Sequence, residues 1–143
     1  ATDVGTRAGV VNLLAAALPQ DAAIARATAA LADPAPTVKL AAARALAYLG
    51  QHGAALTALT ALAATAAPAD RADAAAELAR LGDPHGAAIL TELAGSPDAD
   101  VRRAVVQAHV GAGAITAGLW GALADDQAAT RLDAAIAILT LAG

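Results

Sequence analysis

Two histidines occupy matching turns of the sequence and raise the question of a metal site. His52 lies in a Gly-Gln-His-Gly turn and His85 in an Asp-Pro-His-Gly turn. Imidazole binds zinc and related cations, but a protein site normally needs three or four ligands. No carboxylate set accompanies both histidines, so the sequence predicts no metal site. His109 has no serine or aspartate partner that its spacing identifies, and we expect it to be a packed or partly exposed helical residue and not a catalytic base.

Four aspartates, Asp98, Asp100, Asp125 and Asp126, could pair for general acid–base chemistry. All four lie in turns before helical patterns, where an aspartate ordinarily accepts hydrogen bonds from the first N–H groups of a helix. The Gly-Ala-Gly stretch at 111–113 follows no strand and lacks the rest of a phosphate-binding motif, so it indicates a helix end. The sequence therefore predicts no catalytic residues and no cofactor, and it favours a protein that is not an enzyme.

A basic residue recurs at a spacing of about 29 to 32 residues, at Arg7, Lys39, Arg71, Arg102 and Arg131. Such a series could grip phosphates or acidic peptides. Aspartates in the turns offer a structural alternative, which we favour, because they supply helix caps and ion pairs between consecutive repeats. These aspartates are Asp33, Asp70, Asp98, Asp100, Asp125 and Asp126.

Composition and charge narrow the class of protein. The 143-residue chain is 58% hydrophobic and 1% aromatic, lacks cysteine, and carries a formal net charge of −4. A negative chain offers no electrostatic surface for nucleic acid, and its apolar stretches are shorter than the ~20 residues of a membrane span. We expect a soluble protein of unknown compartment, cytoplasmic by default. The absence of methionine indicates a processed chain or a piece of a longer one.

The elements that position these residues are helices, because alanine is the best helix former and the apolar residues recur at helical spacing. Proline and glycine divide the chain into segments of helix length. The pattern predicts roughly nine helices, at 4–18, 21–32, 37–49, 54–66, 70–81, 86–94, 99–111, 115–124 and 127–142.

Each basic residue opens an odd-numbered helix, so the repeating unit has two helices. An acidic or proline turn leads into a pair such as Val38-Lys39 or Val101-Arg102, and a Leu-Gly pair ends the helix at Leu49-Gly50 and Leu81-Gly82. This pattern resembles HEAT-like repeats of the phycobilin-lyase type over nearly the whole chain. The resemblance implies an all-α, right-handed α-solenoid of about four and a half two-helix repeats, forming a single domain over residues 1–143.

The resemblance also implies that the even-numbered helices line a concave face, and helical phase predicts which residues point to solvent there. These candidate binding residues are Thr57, Ala61, Thr91, Ala117 and Gly121, flanked by Glu92 and Trp120. We expect a protein-interaction or scaffolding module that holds a protein or peptide partner on this face. Trp120 is expected to be partly buried, with a role as binding anchor as the alternative.

Enzymatic alternatives come from the same resemblance, since HEAT-like repeats occur in phycobilin lyase subunits and in alkylpurine DNA glycosylases. The chain could then be an accessory or appended domain of an enzyme. A glycosylase needs a basic face with aromatic residues, and this chain offers only Tyr48 and Trp120. No chromophore groove can be located in the sequence, so both alternatives rank below the interaction module.

The last predicted helix is apolar around much of its circumference. A terminal repeat normally needs a polar outer face, which this helix does not provide. We therefore expect the region of Ile136, Leu139 and Leu141 to pack against another domain, further repeats or a second copy of the chain, with self-association as the simplest version.

Overall fold

The computed structural model describes residues 3–65 and 67–143, which form nine α-helices and no strand. The helices are α1 (Val4–Ala17), α2 (Gln20–Ala30), α3 (Pro36–Tyr48), α4 (His52–Thr65), α5 (Pro68–Arg80), α6 (Pro84–Ala94), α7 (Ala99–Ala112), α8 (Ala117–Gly121) and α9 (Ala128–Ala142). A 3-10 turn at Ala122–Ala124 follows α8. The prediction of an all-α chain is confirmed.

Several helices begin earlier than predicted, among them α4, which begins at His52, two residues before its predicted start. Three helices begin at Pro36, Pro68 and Pro84, one or two residues before the predicted starts. Proline is favoured in the first turn because its missing N–H has no helical acceptor there and its fixed φ suits the helix. The predicted end of α4 at Ala66 lies outside the described residues. The eighth helix is much shorter than predicted. It begins at Ala117, after the N-cap residue Thr116, and it ends at Gly121, where the 3-10 turn follows.

The recurring Leu-Gly pairs end helices in one way. Gly50 and Gly82 have φ values of 81° and 85°, in the left-handed region that glycine enters without a steric penalty. In each case the residue after the glycine donates its N–H back across the last turn, from Gln51 to the Leu46 carbonyl and from Asp83 to the Leu78 carbonyl. These bonds are the Schellman arrangement, and they satisfy carbonyls that the helix end would leave unpaired.

The chain divides into two compact units, residues 1–64 and 65–143. In the first unit α1 packs on α2 and α3, and α2 packs on α3. In the second unit α5 packs on α6 and α7, α6 on α7, and α7 on α9. An odd-numbered helix thus contacts the next odd-numbered helix within each unit. A single domain over residues 1–143 stays a prediction.

Alanine shapes the core of the second unit. The seam between α5 and α7 is built from buried alanines, namely Ala72, Ala75, Ala76, Ala108 and Ala112. Val105 of α7 and two leucines of α6, Leu90 and Leu93, pack beside them. Small side chains let helix axes approach closely. The helices α5 and α6 approach closely at Gly86, where an added Cβ would lie 2.4 Å from both the Ala75 carbonyl oxygen and the Ala79 nitrogen. Gly86 is therefore a packing residue inside α6 and not a helix break.

The helices α9 and α1 both present aliphatic side chains to solvent. On α9, Ile136 and Leu139 are exposed and Leu141 is half-buried, while Ala134, Ala137 and Ile138 face the core. On α1, Leu13 is exposed in the same way. None of the described helices has the length and apolar character that crossing a membrane would require.

Candidate functional site: a cavity between α6 and α8

The seven predicted binding residues all face solvent. Thr57 and Ala61 lie on α4 in the first unit, where the Thr57 hydroxyl donates to the Gly53 carbonyl at 3.0 Å. The other five, listed here, belong to α6 and α8 of the second unit: Thr91, Glu92, Ala117, Trp120 and Gly121. Helical phase therefore placed these positions correctly on the surface, and their binding role stays a prediction.

Three of these residues line one cavity of about 430 Å³, namely Thr91 on α6 and Ala117 and Gly121 on α8. The cavity lies between α6 and α8, with residues of α7 such as Val105 and Val106 beneath it. Glu92 and Trp120 are not among its lining residues. Glu92 accepts a hydrogen bond from Arg71 at 3.5 Å. Trp120 is 55% exposed, so it is more accessible to solvent than the predicted partial burial.

Small residues create this cavity. The wall on α6 carries Ala87 and Ala94, and the wall on α8 carries Gly118 and Gly121. A Cβ added at Gly121 would meet no atom within 4 Å, so the space beside this glycine is open. Most of the lining is apolar, as is usual for sites that bind ligands or anchor side chains. The volume is sufficient for a branched or aromatic side chain.

His109 lies on the floor of the cavity and is 1% exposed. Its Nδ1 lies 2.7 Å from the Val105 carbonyl oxygen, which can only accept, so Nδ1 carries the proton. The Nε2 atom then accepts from the Thr116 hydroxyl at 2.7 Å. Burial lowers the pKa of His109, although the bond to Val105 opposes this shift. The ring is neutral and both nitrogens are occupied, so the expectation of a packed residue is confirmed.

Arg102 lies at the edge of the cavity with all five N–H groups occupied. Its Nε and Nη2 donate to the two carboxylate oxygens of Asp125 at 2.7 and 3.1 Å, and Nη2 also donates to Asp126 at 2.5 Å. Its Nη1 donates to the carbonyls of Ser96 and Pro97 at 2.9 and 3.2 Å. This guanidinium therefore joins two turns of the fold and has no donor left for an anion in the cavity.

The partner carboxylate is equally occupied. The hydrogen bond from Arg102 lowers the pKa of Asp125 to about 2, and the backbone N–H of Gln127 adds to the effect at 2.9 Å. The remaining polar lining residues are neutral: Thr91, whose hydroxyl donates to the Ala87 carbonyl at 2.9 Å, and the buried Thr130. The cavity thus suits an uncharged, largely apolar group.

Two other basic residues of the series, Arg7 and Arg131, also bind groups in turns, whereas Arg71 binds Glu92 within α6. Arg7 binds Asp33 as Arg102 binds Asp125, with Nε to Oδ2 at 2.8 Å and Nη2 to Oδ1 at 3.1 Å. Arg131 donates through Nη1 to the carbonyls of Asp125 and Asp126 at 2.7 and 3.0 Å. Ion pairs and turn contacts, the favoured alternative of the sequence, are therefore present at these positions.

The remaining titratable residues give no metal cluster within the described part of the chain. His85 is exposed and its Nδ1 lies 2.8 Å from Asp83, the residue that caps α6. Sequence reasoning missed Glu77, which is buried in α5 and accepts from the Nε of Arg80 at 2.8 Å. The spacing of three residues between them was the available signal, since such pairs lie on one helix face.

Sequence reasoning also missed Thr116 as the partner of His109, because the two lie on opposite sides of a turn that the sequence does not shape in detail. Comparison of the chain with protein-family models, with curated proteins and with solved structures finds no match.

Proposed function

We propose that this chain is a protein-interaction module, built as an α-solenoid of HEAT-like two-helix repeats, whose cavity between α6 and α8 receives an apolar side chain of a partner helix. The recurrence of one ion-pair geometry at Arg7–Asp33 and Arg102–Asp125 supports a repeated unit. Contacts between successive odd-numbered helices within each unit support stacking.

The cavity is the observation that carries the functional proposal. It has open space beside Gly121, a mostly apolar lining, and polar groups whose charges are already matched inside the fold. An apolar side chain entering it is removed from water without leaving a buried charge unpaired. These features favour a helix that inserts an anchor residue over an anionic polymer or a charged substrate.

A displayed library of amphipathic helical peptides tests the proposal, with Gly121→Leu as the blocking variant. Gly121 lines the cavity, has helical backbone angles, and leaves open space around an added Cβ, so a leucine there should be tolerated by the fold and should obstruct the cavity. We expect selected peptides to bind the native chain through one large apolar residue, and Gly121→Leu to weaken their binding about tenfold or more. Trp120 emission should shift to shorter wavelength when a peptide covers the neighbouring surface.

Gly53→Leu is the matched control. Gly53 lies in α4, does not line the cavity, and also has no atom within 4 Å of an added Cβ. Its substitution should leave peptide affinity unchanged. A selection that yields no peptide, or peptides that bind Gly121→Leu as tightly as the native chain, would refute the proposal.

A further inference from the structure

The contact between α7 and α9 shows how one odd-numbered helix packs against the next. Val106 of α7 is buried against Ala134 and Ala137 of α9. Beside this apolar contact, Arg103 and Gln107 of α7 both donate to the Asp133 carboxylate of α9, Gln107 at 3.4 Å. The forward side of α7 thus carries donors, and the side of α9 that meets it carries an acceptor.

The helix α9 repeats the register of α7. Arg102 and Arg131 each donate through Nη1 to the carbonyls of the residues six and five positions earlier. With Arg131 in the place of Arg102, the positions of Arg103 and Gln107 are taken by Leu132 and Ile136. We call Leu132, Ile136 and Leu139 the front face of α9. These side chains are 60%, 53% and 74% exposed.

The helix α1 has the same register, because Arg7 binds Asp33 with the geometry that Arg102 uses for Asp125. With Arg7 aligned on Arg131, the positions of the buried Ala134 and Ala137 are taken by Val10 and Leu13. These two residues, which we call the back face of α1, are 44% and 70% exposed.

The two faces match each other in chemistry. At the positions of Arg103 and Gln107 in α7, the front face of α9 has Leu132 and Ile136. At the position of Asp133 in α9, α1 has Gly9. The front face of α9 thus lacks the donors of α7, and the back face of α1 lacks the acceptor of α9. Pairing the two faces therefore buries apolar surface without leaving one of these charges unpaired. In Arg102, Nε and Nη2 donate to carboxylates. The same two groups of Arg131 have no partner among the described residues. At the start of α1, the N-cap Asp3 aligns with Gln127, and its two carboxylate oxygens accept from the N–H and the hydroxyl of Thr6.

We propose that copies of this chain associate head to tail, with the front face of α9 in one copy packed on the back face of α1 in the next. The contact is heterologous, since each copy uses two different surfaces, and association therefore continues beyond a dimer. One helix pair makes a small interface, so the association is weak and concentration-dependent.

Sedimentation velocity of the full chain over a concentration series tests this proposal. The native chain should form growing oligomers, and Ile136→Glu and Leu13→Glu should each lower the association constant about tenfold or more, because a carboxylate would be buried at the contact. Both positions are more than half exposed, so neither change should lower the melting temperature at concentrations where the native chain is monomeric. Ile115→Glu is the matched control, since Ile115 is exposed in the turn before α8 and belongs to neither face.

Mixing the two variants separates this contact from a symmetric one. Ile136→Glu keeps an intact α1 face and Leu13→Glu keeps an intact α9 face, so the equimolar mixture should form a dimer and stop there. A monomeric native chain, or a Leu13→Glu variant that associates like the native chain, would overturn the proposal. So would a mixture of the two variants that remains monomeric while the native chain associates.

Discussion

The guanidinium of Arg102 ties the turn before α7 to the turn before α9. It reaches back to the Ser96 and Pro97 carbonyls and forward to the Asp125 carboxylate, so one side chain spans two turns. Arg131 makes only the backward contacts among the described residues. The two arginines therefore form a natural pair for measuring what the forward, charge-assisted contact contributes.

Arg102→Ala should lower the melting temperature at neutral pH more than Arg131→Ala does, because only Arg102 binds carboxylates of the next turn. The effect should also depend on pH. The pKa of Asp125 is lowered from 3.8 to about 2, so its stabilisation is present above 3.8 and is lost as the pH falls toward 2. The stability of Arg102→Ala should fall less steeply over that window. Thermal melts between pH 7 and pH 2 measure both; equal losses for the two variants would contradict the assignment.

The sequence predicted that the basic series pairs with turn aspartates, because both residue types recur at one spacing. Arg7 and Arg102 do so, whereas Arg71 pairs with Glu92 of α6 and Arg131 binds turn carbonyls. It could not predict which N–H group meets which oxygen. Nor could it pair His109 with Thr116, since that contact depends on how α8 begins after the Gly113 turn. Side-chain geometry across a turn follows from the packing of helices, which a spacing pattern does not contain.

At the scale of the helices, α6 shows that a glycine in the sequence does not always mark the end of a helix. Gly86 looks like part of a break after Gly82, yet it lies in the third position of α6 against the backbone of α5. The residue is needed because the two helices approach too closely for a side chain. A sequence shows a glycine at this position, but only the structure shows the neighbouring backbone.

Gly86→Ala should destabilise the chain by about 1–3 kcal/mol, because the new methyl group would overlap backbone atoms that must move apart. Gly53→Ala is the control in another helix, with open space around the added Cβ. It should stabilise by a few tenths of a kcal/mol, since alanine restricts the unfolded chain and favours helix. Urea unfolding of the three proteins gives the free energies; an unchanged stability in Gly86→Ala would mean that α5 and α6 do not approach as described.

The helices themselves were largely predictable, because the apolar period and the Leu-Gly ends are local signals. The short α8 was not, since it ends in a 3-10 turn that contains neither a proline nor a left-handed glycine; Ala122 of this turn packs against the core between α7 and α9. The cavity was equally hidden. Its small lining residues, such as Ala87 and Gly118, come from helices whose separation the sequence does not state.

At the scale of the whole molecule, net charge and ion pairing act in the same direction. The formal charge is −4, and Arg7, Arg102 and Arg103 are held by aspartates. A surface of this kind releases few counterions on meeting a phosphate backbone. Fluorescence anisotropy with labelled duplex DNA should therefore detect no salt-sensitive affinity. A submicromolar complex that weakens steeply as salt rises would contradict this prediction.

Ser96 interrupts the series of aspartates in the turns. Its hydroxyl accepts the Asp98 N–H at 3.2 Å, as Asp33 and Asp125 accept N–H groups in the turns before α3 and α9. A single hydroxyl oxygen cannot accept from both Nε and Nη2 of an arginine as a carboxylate does. The α5–α7 junction therefore cannot repeat the two parallel hydrogen bonds seen at Arg7–Asp33 and Arg102–Asp125. In a linear array, cooperativity depends on the coupling between neighbours. The coupling between α5 and α7 therefore rests on apolar burial along the alanine seam, and Ser96 gives it no titratable carboxylate of the kind that Asp125 gives the contact of α7 with α9.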